Sequence, residues 1–205
     1  MADDRIVIGV DSSTSATKVI AFDMNGRILA EGTNGYPLYQ ENPGWVEQDP
    51  GDWWDAFVKG CREVMSSGEV DPSKIIGLGL THQRFTFVPM DKDLNPLRMA
   101  ILWNDIRCAE QARYAEEKIG ASKIFERTGY PPGQWTLYKL LWLKDNEPEV
   151  YEKTHKILLV QDYLIYRLTG ELVTLEGAGT MTGALDISKP SSWATDIIEG
   201  LGLRT

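Results

Sequence analysis

Cysteine, histidine and basic residues are scarce in this 205-residue chain, and each shortage bears on what the protein can be. The two cysteines, Cys61 and Cys108, lack Cys-x-x-Cys spacing, and with only 2 histidines neither a disulfide framework nor a zinc site is supported. Lys and Arg number 21 against 30 Asp and Glu, a formal net charge of −9. A nucleic-acid partner, which requires a basic face, is therefore not expected.

Long hydrophobic runs are also missing. The apolar run after Arg5 is too short for a membrane span or for the apolar region of a signal peptide. We therefore expect a cytoplasmic protein without membrane contact, in agreement with two unpaired cysteines. The composition, 42% hydrophobic and 25% charged, is that of an ordinary globular chain, long enough for one large domain or two small ones.

The chain is organised around two apolar runs, residues 6–10 and 19–22, that flank an acidic residue and a cluster of hydroxyls. Their β-branched composition predicts two strands, and the segment between them is too short for a crossover helix. We therefore predict an antiparallel pair joined by a short turn.

The turn between these strands predicts a phosphate and magnesium site. Its backbone N–H groups and its hydroxyls can face a phosphate, Asp11 offers an oxygen to Mg²⁺, and Lys18 adds a positive charge. The hydroxyls belong to Ser12, Ser13, Thr14 and Ser15. The glycine patterns of a P-loop and of a dinucleotide-binding turn are absent here. On these residues alone an ordinary Ser/Thr-rich β-turn fits equally well.

The rest of the chain predicts an α/β fold. Strands are expected over 27–33, 75–80, 86–90, 100–103 and 157–160, and helices over 50–67, 109–119, 121–127, 138–145, 147–151, 161–168 and 192–200. We expect residues 75–80 to be buried. The predicted central mixed sheet begins with the three-strand meander of residues 5–33 and continues with the strands near 75–80 and 156–160.

Polar side chains follow two of these strands. The strand at 75–80 is followed by His82, Gln83 and Arg84, and the strand at 100–103 is followed by Asn104 and Asp105. Open α/β sheets bind ligands at strand ends, so both clusters are candidate binding residues. Asn104 or Asp105 would also cap the N-terminus of the next helix well, and on these residues alone the cap is the favoured interpretation of that cluster.

Six motifs occur in collinear order over nearly the whole chain: Asp11-Ser-Ser-Thr-Ser-Ala-Thr-Lys18, Gly44-Trp-Val-Glu-Gln-Asp-Pro50, Thr81-His-Gln-Arg84, Ala100-Ile-Leu-Trp-Asn-Asp105, Lys139-Leu-Leu-Trp142 and Gln161-Asp-Tyr-Leu-Ile-Tyr-Arg-Leu-Thr-Gly170. With these motifs the chain resembles the FGGY carbohydrate kinases, the group of xylulokinase and glycerol kinase. The resemblance implies phosphorylation of a small sugar or polyol with ATP and Mg²⁺. It also implies an actin-like ATPase fold, related to ribonuclease H, with a mixed sheet flanked by helices.

The resemblance also implies which part of the protein this is. Residues 1–205 correspond to the N-terminal, sugar-binding lobe, incomplete at its C-terminal end, and the nucleotide-binding lobe is absent. The catalytic aspartate is expected beyond Thr205, so no catalytic residue is assigned and the chain alone is predicted to be inactive. A homodimer is left open.

Individual site residues follow from the same resemblance. It places Asp11 at the metal and Ser12, Ser13, Thr14, Ser15 and Lys18 at the phosphates. It places Gln83, Arg84, Phe85, Trp103, Asp105 and Trp135 at the substrate. Phe85 departs from the family, since glycerol kinases have Arg-Glu and xylulokinases have Met-His where this chain has Arg84-Phe85. The departure removes a hydrogen-bonding side chain and adds an apolar face.

The implied substrate is a ketopentose such as xylulose. Two alternatives stay open at this point: a kinase of a polyol such as glycerol or erythritol, and a non-catalytic sugar-binding or actin-like ATPase scaffold.

Overall fold

The protein's structure, a computed structural model, describes residues 3–189 and 191–205. The predicted domain extends over 1–205, and its residues 1, 2 and 190 lie outside this description. The strands are β1 (Ile6–Ser12), β2 (Ala16–Asp23), β3 (Ile28–Gly35), β4 (Glu47–Gln48), β5 (Ile75–His82), β6 (Phe87–Met90), β7 (Ala100–Ile101) and β8 (Lys156–Leu159). The helices are α1 (Pro50–Ser66), α2 (Ala109–Ile119), α3 (Ala121–Thr128), α4 (Thr136–Asn146), α5 (Pro148–Lys153), α6 (Val160–Thr169), α7 (Glu176–Thr180) and α8 (Thr195–Gly200).

The first sheet carries the hairpin predicted from the sequence. Its order is β3-β2-β1-β5, with β1 antiparallel to β2, β2 antiparallel to β3, and β1 parallel to β5. In the hairpin register Asp11 lies opposite Lys18 and Ser12 opposite Thr17. The antiparallel pair, the meander and the mixed sheet are therefore confirmed.

Helix α1 covers one face of this sheet. Its N-terminus is capped by Asp49, which accepts a hydrogen bond from the Gly51 N–H at 2.8 Å, and Pro50 occupies the first turn. The helix packs closely because Gly60 has no side chain: a Cβ there would lie 2.8 Å from a methyl group of Val19 on β2. Trp53 and other apolar side chains of α1 fill the core beneath the hairpin.

The second sheet has the order β4-β7-β6-β8, and all of its pairs are antiparallel. The prediction that the strand near 156–160 continues the first sheet was wrong, because β8 pairs with β6, from Phe87↔Leu159 to Met90↔Lys156. An apolar run predicts a strand but not its partner. All four residues of β6 are buried, and β8 supplies the backbone partner on one of its sides.

Strand β5 corrects a second expectation. It was predicted to be buried, but residues 76–79 are exposed to solvent, and the exposed fraction of Ile76 is 54%. The reason is its position at the edge of the sheet, with β1 as its strand neighbour among the described residues. Apolar composition does not distinguish an edge strand from a central one.

Smaller differences concern element boundaries. The strand predicted over 100–103 ends at Ile101, the loop predicted before Pro50 contains β4, and α7 was not predicted. Cys61 and Cys108 are free thiols, as expected. Within the part of the chain that the structure describes, no helix has the length and apolar character needed to cross a membrane.

Candidate functional site

A cleft of about 350 Å³ lies where the hairpin turn meets the end of β5. It is lined by Asp11, Ser13, Thr14, His82, Gln83, Arg84, Phe85 and Trp103. All of these except His82 belong to the predicted site. A larger cavity of about 430 Å³ between α4, α5 and residues 193–205 shares no lining residue with the cleft and contains none of the predicted residues.

The hairpin turn is held by its own hydroxyls. Ser12 is fully buried, and its hydroxyl lies 3.1 Å from that of Thr17, because strand alternation turns Asp11 outward and Ser12 inward. The Ser13 hydroxyl donates to the Ala16 carbonyl at 2.9 Å, and the Tyr36 hydroxyl donates to the Ser13 carbonyl. The predicted contact between the Ser12 side chain and a phosphate is therefore not available in this conformation.

The remaining residues that were predicted to bind phosphate differ in position. Thr14 lines the cleft, whereas Ser15 and Lys18 are exposed but lie outside its lining. Lys18 is on β2, opposite Asp11 in the register. The hairpin end therefore carries one carboxylate and one ammonium on its exposed side.

Asp11 provides a single carboxylate for a metal. Its side chain is exposed and has no hydrogen-bond or ion-pair partner among residues 3–189 and 191–205. Within these ranges no group of three or more His, Cys, Asp or Glu side chains is arranged to hold a metal ion. Mg²⁺ is commonly held by one or two carboxylates together with substrate phosphates. Asp11 thus fits a magnesium ion that arrives with a nucleotide, and does not fit a resident all-protein metal centre.

Arg84 and Phe85 form the wall next to the turn. Arg84 is exposed, and no described residue forms an ion pair with it. Phe85 has φ 61°, a left-handed conformation that is unusual for an aromatic residue. Its carbonyl accepts a hydrogen bond from the Thr136 hydroxyl at 2.9 Å, which ties this conformation to the start of α4.

Two aromatic residues support Phe85 from behind. The ring centroid of Trp135 lies 4.9 Å from that of Phe85, and the ring of Tyr130 meets Phe85 edge-on at 6.0 Å. The loop at 130–135 was predicted correctly, but Trp135 is not among the residues that line the cleft. Its contact with the cleft is made through Phe85.

Trp103 joins the two sides of the cleft. Its side chain is 46% exposed, and its indole Nε1 donates to the Thr14 hydroxyl at 3.0 Å. The Trp103 carbonyl accepts a hydrogen bond at 3.1 Å from the buried ammonium of Lys139. Burial lowers the pKa of Lys139 to about 8, because a charged ammonium is costly to bury. The carbonyls of Leu102 and Trp103 offset part of this cost by accepting hydrogen bonds from the ammonium.

Asp105 is not on the cleft. It is 0% exposed, and its carboxylate accepts hydrogen bonds from the Val46 N–H and from the Arg107 guanidinium, both at 2.7 Å. The chain turns sharply after β7, where the Asp105 N–H donates to the Leu102 carbonyl, and this turn directs the side chain inward. Neither the predicted wall position nor the alternative helix cap is found, since α2 begins at Ala109 without a side-chain cap.

The structure also brings His82 to the cleft, a member of the predicted polar cluster after β5 to which no role was assigned. His82 lines the cleft, and its Nδ1 lies 2.7 Å from the Gln83 carbonyl. Burial lowers the pKa of His82, so the imidazole is neutral at pH 7. Its position at the strand end, next to Gln83, is the signal that placed it among the candidate binding residues.

Known proteins resemble this chain in sequence and in fold. Residues 6–205 match the N-terminal domain of the FGGY family of carbohydrate kinases. Xylulose kinase from Bacillus subtilis is 37% identical over 201 residues, which is 97% of this chain and 40% of that protein. Glycerol kinase from Thermococcus onnurineus is 34% identical over 205 residues, 98% of this chain and 41% of that protein.

A solved structure extends the comparison to the fold. Gluconate kinase from Lactobacillus acidophilus superposes with a TM-score of 0.89 at 30% identity, over 98% of this chain and 40% of that one. The fold is therefore the actin-like ATPase fold of sugar kinases, which confirms the predicted fold class. The chain belongs to the FGGY family of carbohydrate kinases. It spans about 40% of the length of the relatives named here.

Proposed function

We propose that the full-length protein containing this chain is a cytoplasmic, ATP-dependent kinase of a small sugar, with a ketopentose such as xylulose as substrate. One observation carries the proposal: the Trp103 indole donates a hydrogen bond at 3.0 Å to the Thr14 hydroxyl. Trp103 belongs to the proposed substrate wall, which also contains Arg84 and Phe85, and Thr14 belongs to the proposed phosphate turn, residues 12–15. A sugar placed against Trp103 would therefore lie beside the groups that are suited to a transferred phosphate. This proximity is what phosphoryl transfer requires, since its catalysis consists mostly of positioning and electrostatic stabilisation.

Each cleft residue has a proposed role. The Arg84 guanidinium donates hydrogen bonds to sugar hydroxyls, and the exposed face of Trp103 packs on the carbon face of the sugar. Backbone N–H groups of the turn, the Thr14 hydroxyl and Lys18 attract the phosphate oxygens. Asp11 would hold the Mg²⁺ that comes with ATP, and this ion would neutralise charge on the phosphate oxygens.

The proton acceptor for the sugar hydroxyl is proposed to lie outside this chain. Asp11 is the acidic residue of the cleft, and its carboxylate serves better as a metal ligand than as a base. Positioned acid–base groups contribute about 10²–10⁴-fold. The 205-residue chain by itself is therefore expected to lack appreciable turnover.

A ketopentose is favoured by two features. Xylulose kinase from Bacillus subtilis is 37% identical to this chain. Phe85, which Tyr130 and Trp135 support, also offers an apolar surface beside Arg84, which suits a longer carbon chain. A polyol such as glycerol is the second candidate, because Thermococcus onnurineus glycerol kinase is 34% identical.

Calorimetric titration of the full-length protein with xylulose and with glycerol tests the substrate wall. Arg84→Ala should weaken binding of the preferred substrate about 10- to 100-fold, since a hydrogen bond from a charged group contributes about 1.5–3 kcal/mol. Arg62→Ala, which removes an exposed arginine from α1, is the matched control and should bind like the parent. Equal affinities for the parent and Arg84→Ala would place the sugar elsewhere.

A further inference from the structure

Gln48, the last residue of β4, connects the second sheet to the phosphate turn of the first. Its side chain is 0% exposed, and its amide makes three hydrogen bonds. Nε2 donates to the Thr14 carbonyl at 2.7 Å. Oε1 accepts from Trp53 Nε1 at 3.0 Å and from Gln83 Nε2 at 2.7 Å.

These bonds belong to a closed ring. The Gln83 Oε1 accepts from the Thr86 hydroxyl at 3.2 Å, and the Thr86 Oγ1 accepts from the Trp103 N–H at 3.1 Å. The Trp103 indole then donates to the Thr14 hydroxyl at 3.0 Å, which returns the ring to the residue where it began. Five residues, Thr14, Gln48, Gln83, Thr86 and Trp103, therefore form one circuit around the inner end of the cleft.

The donors and acceptors around the ring permit only one orientation of the Gln48 and Gln83 side-chain amides. The Trp53 indole can only donate, and the Thr14 carbonyl can only accept, so the Gln48 oxygen must face Trp53 and its nitrogen must face Thr14. The Gln48 oxygen then requires the Gln83 nitrogen, which leaves the Gln83 oxygen for the Thr86 hydroxyl. Since every link depends on its neighbour, the ring fixes the relative position of its members.

We infer that Gln48 is a positioning residue that holds the phosphate turn in register with the substrate wall, so that a bound sugar hydroxyl is in line with the transferred phosphate. This rests on the proposed kinase function. Gln83 shares this positioning role, because both ends of its buried amide are bonded inside the ring. Displacements of about 1 Å in such an arrangement cost about 10²-fold in rate.

Gln48→Glu isolates the link in question. The new side chain has the same shape and keeps an oxygen for Trp53 and Gln83, but it presents an acceptor to the Thr14 carbonyl where the amide donated. Turnover of xylulose and glycerol is measured on the full-length protein. We expect kcat to fall about 10- to 100-fold with little change in the sugar KM, because the substrate still binds but is misaligned.

A matched control and a pH profile separate positioning from a merely structural effect. Gln40→Glu makes the same chemical change at an exposed position and should leave kcat and KM at the parent values. Acidification should also restore kcat in the Gln48→Glu protein relative to the parent, because a protonated carboxyl can donate to the Thr14 carbonyl again. Thermal unfolding of both proteins at the same pH values shows whether the loss of kcat merely follows a loss of folded protein; a kcat that falls only in proportion to the folded fraction would contradict a positioning role.

The outcomes distinguish the inference from the proposed function. A parent protein that turns over no sugar would overturn the proposed function and the inference with it. An active parent whose kcat is unchanged by Gln48→Glu, or reduced no more than by Gln40→Glu, would overturn the inference alone. Should Gln48→Glu not fold, Trp103→Phe opens the same ring at an exposed indole, and an undiminished kcat there would overturn the inference.

Discussion

Neighbouring side chains in residues 44–50 have unrelated partners. Glu47 forms ion pairs with the guanidinium groups of Arg98 and Arg107, whereas Gln48, the next residue, closes the ring at the cleft. Asp49 then caps α1. The cap could be predicted from the sequence because its partner lies two residues away, but the partners of Glu47 and Gln48 are distant in the chain and depend on the fold.

The same limit applies to Asp105. Its residue type and its position after a strand fitted a binding role, and its actual partner, Arg107, was also visible in the sequence. What the sequence did not reveal is the direction of the side chain, which the turn after β7 sets. Thr14 and Trp103, by contrast, lie on the cleft as the motifs indicated, because both follow directly from strand ends.

At the scale of single residues, Arg107→Met should destabilise the protein by about 3–5 kcal/mol, because it leaves the buried carboxylate of Asp105 without a charged partner. Glu47 keeps its ion pair with Arg98. The Arg107 guanidinium also lies 3.9 Å from the centroid of the Trp45 ring. Urea unfolding of the purified protein measures the change. Arg113→Met, which removes an exposed ion pair on α2, should cost less than about 1 kcal/mol, and a similar loss in both variants would contradict the assignment.

At the scale of secondary structure, α1 shows what sequence patterns predict well. Its cap, its proline and its apolar spacing are all local, and the structure places the helix from Pro50 to Ser66. Strands β5 and β8 show the opposite case. Their existence was predicted correctly, but their neighbours and their burial depend on which strands pair over long sequence distances.

Helix α6 supplies a prediction about pH. Burial raises the pKa of Asp162 to about 6, while its carboxylate accepts a hydrogen bond from the Leu159 N–H at the start of the helix. The folded state therefore binds a proton more tightly than the unfolded state, and this residue's contribution to stability falls as pH rises from about 4 to about 6. Above that range the penalty is complete, at about 2–3 kcal/mol.

Asp162→Asn removes this dependence, since the amide stays neutral and keeps an oxygen for Leu159. The variant should be more stable than the parent at pH 7, and the difference should disappear near pH 4. Denaturant unfolding at both pH values measures it, with Asp55→Asn on the exposed face of α1 as the control. A variant that is less stable than the parent at pH 7 would show that the charge of Asp162 is stabilised in the folded state.

At the scale of the whole molecule, two sheets meet at one cleft. The first sheet carries Asp11 and Thr14 on its hairpin and Arg84 after β5, and the loop after β7 of the second sheet carries Trp103. The cleft thus combines groups from both sheets, and the hydrogen-bond ring through Gln48 connects the two. The sequence predicted cleft residues such as Asp11 and Trp103 but also placed Asp105 and Trp135 there, and the ring is visible only in the three-dimensional structure.

The most direct test of this account is a coupled assay of ADP release by the full-length protein with xylulose, ribulose, glycerol and erythritol. We predict ADP release that depends on one of these substrates. Asp11→Asn should reduce it by about 10²-fold or more, because the variant loses the carboxylate that we propose as the metal ligand. ADP release that is indifferent to all four substrates, or sugar-dependent release that Asp11→Asn leaves unchanged, would contradict the account.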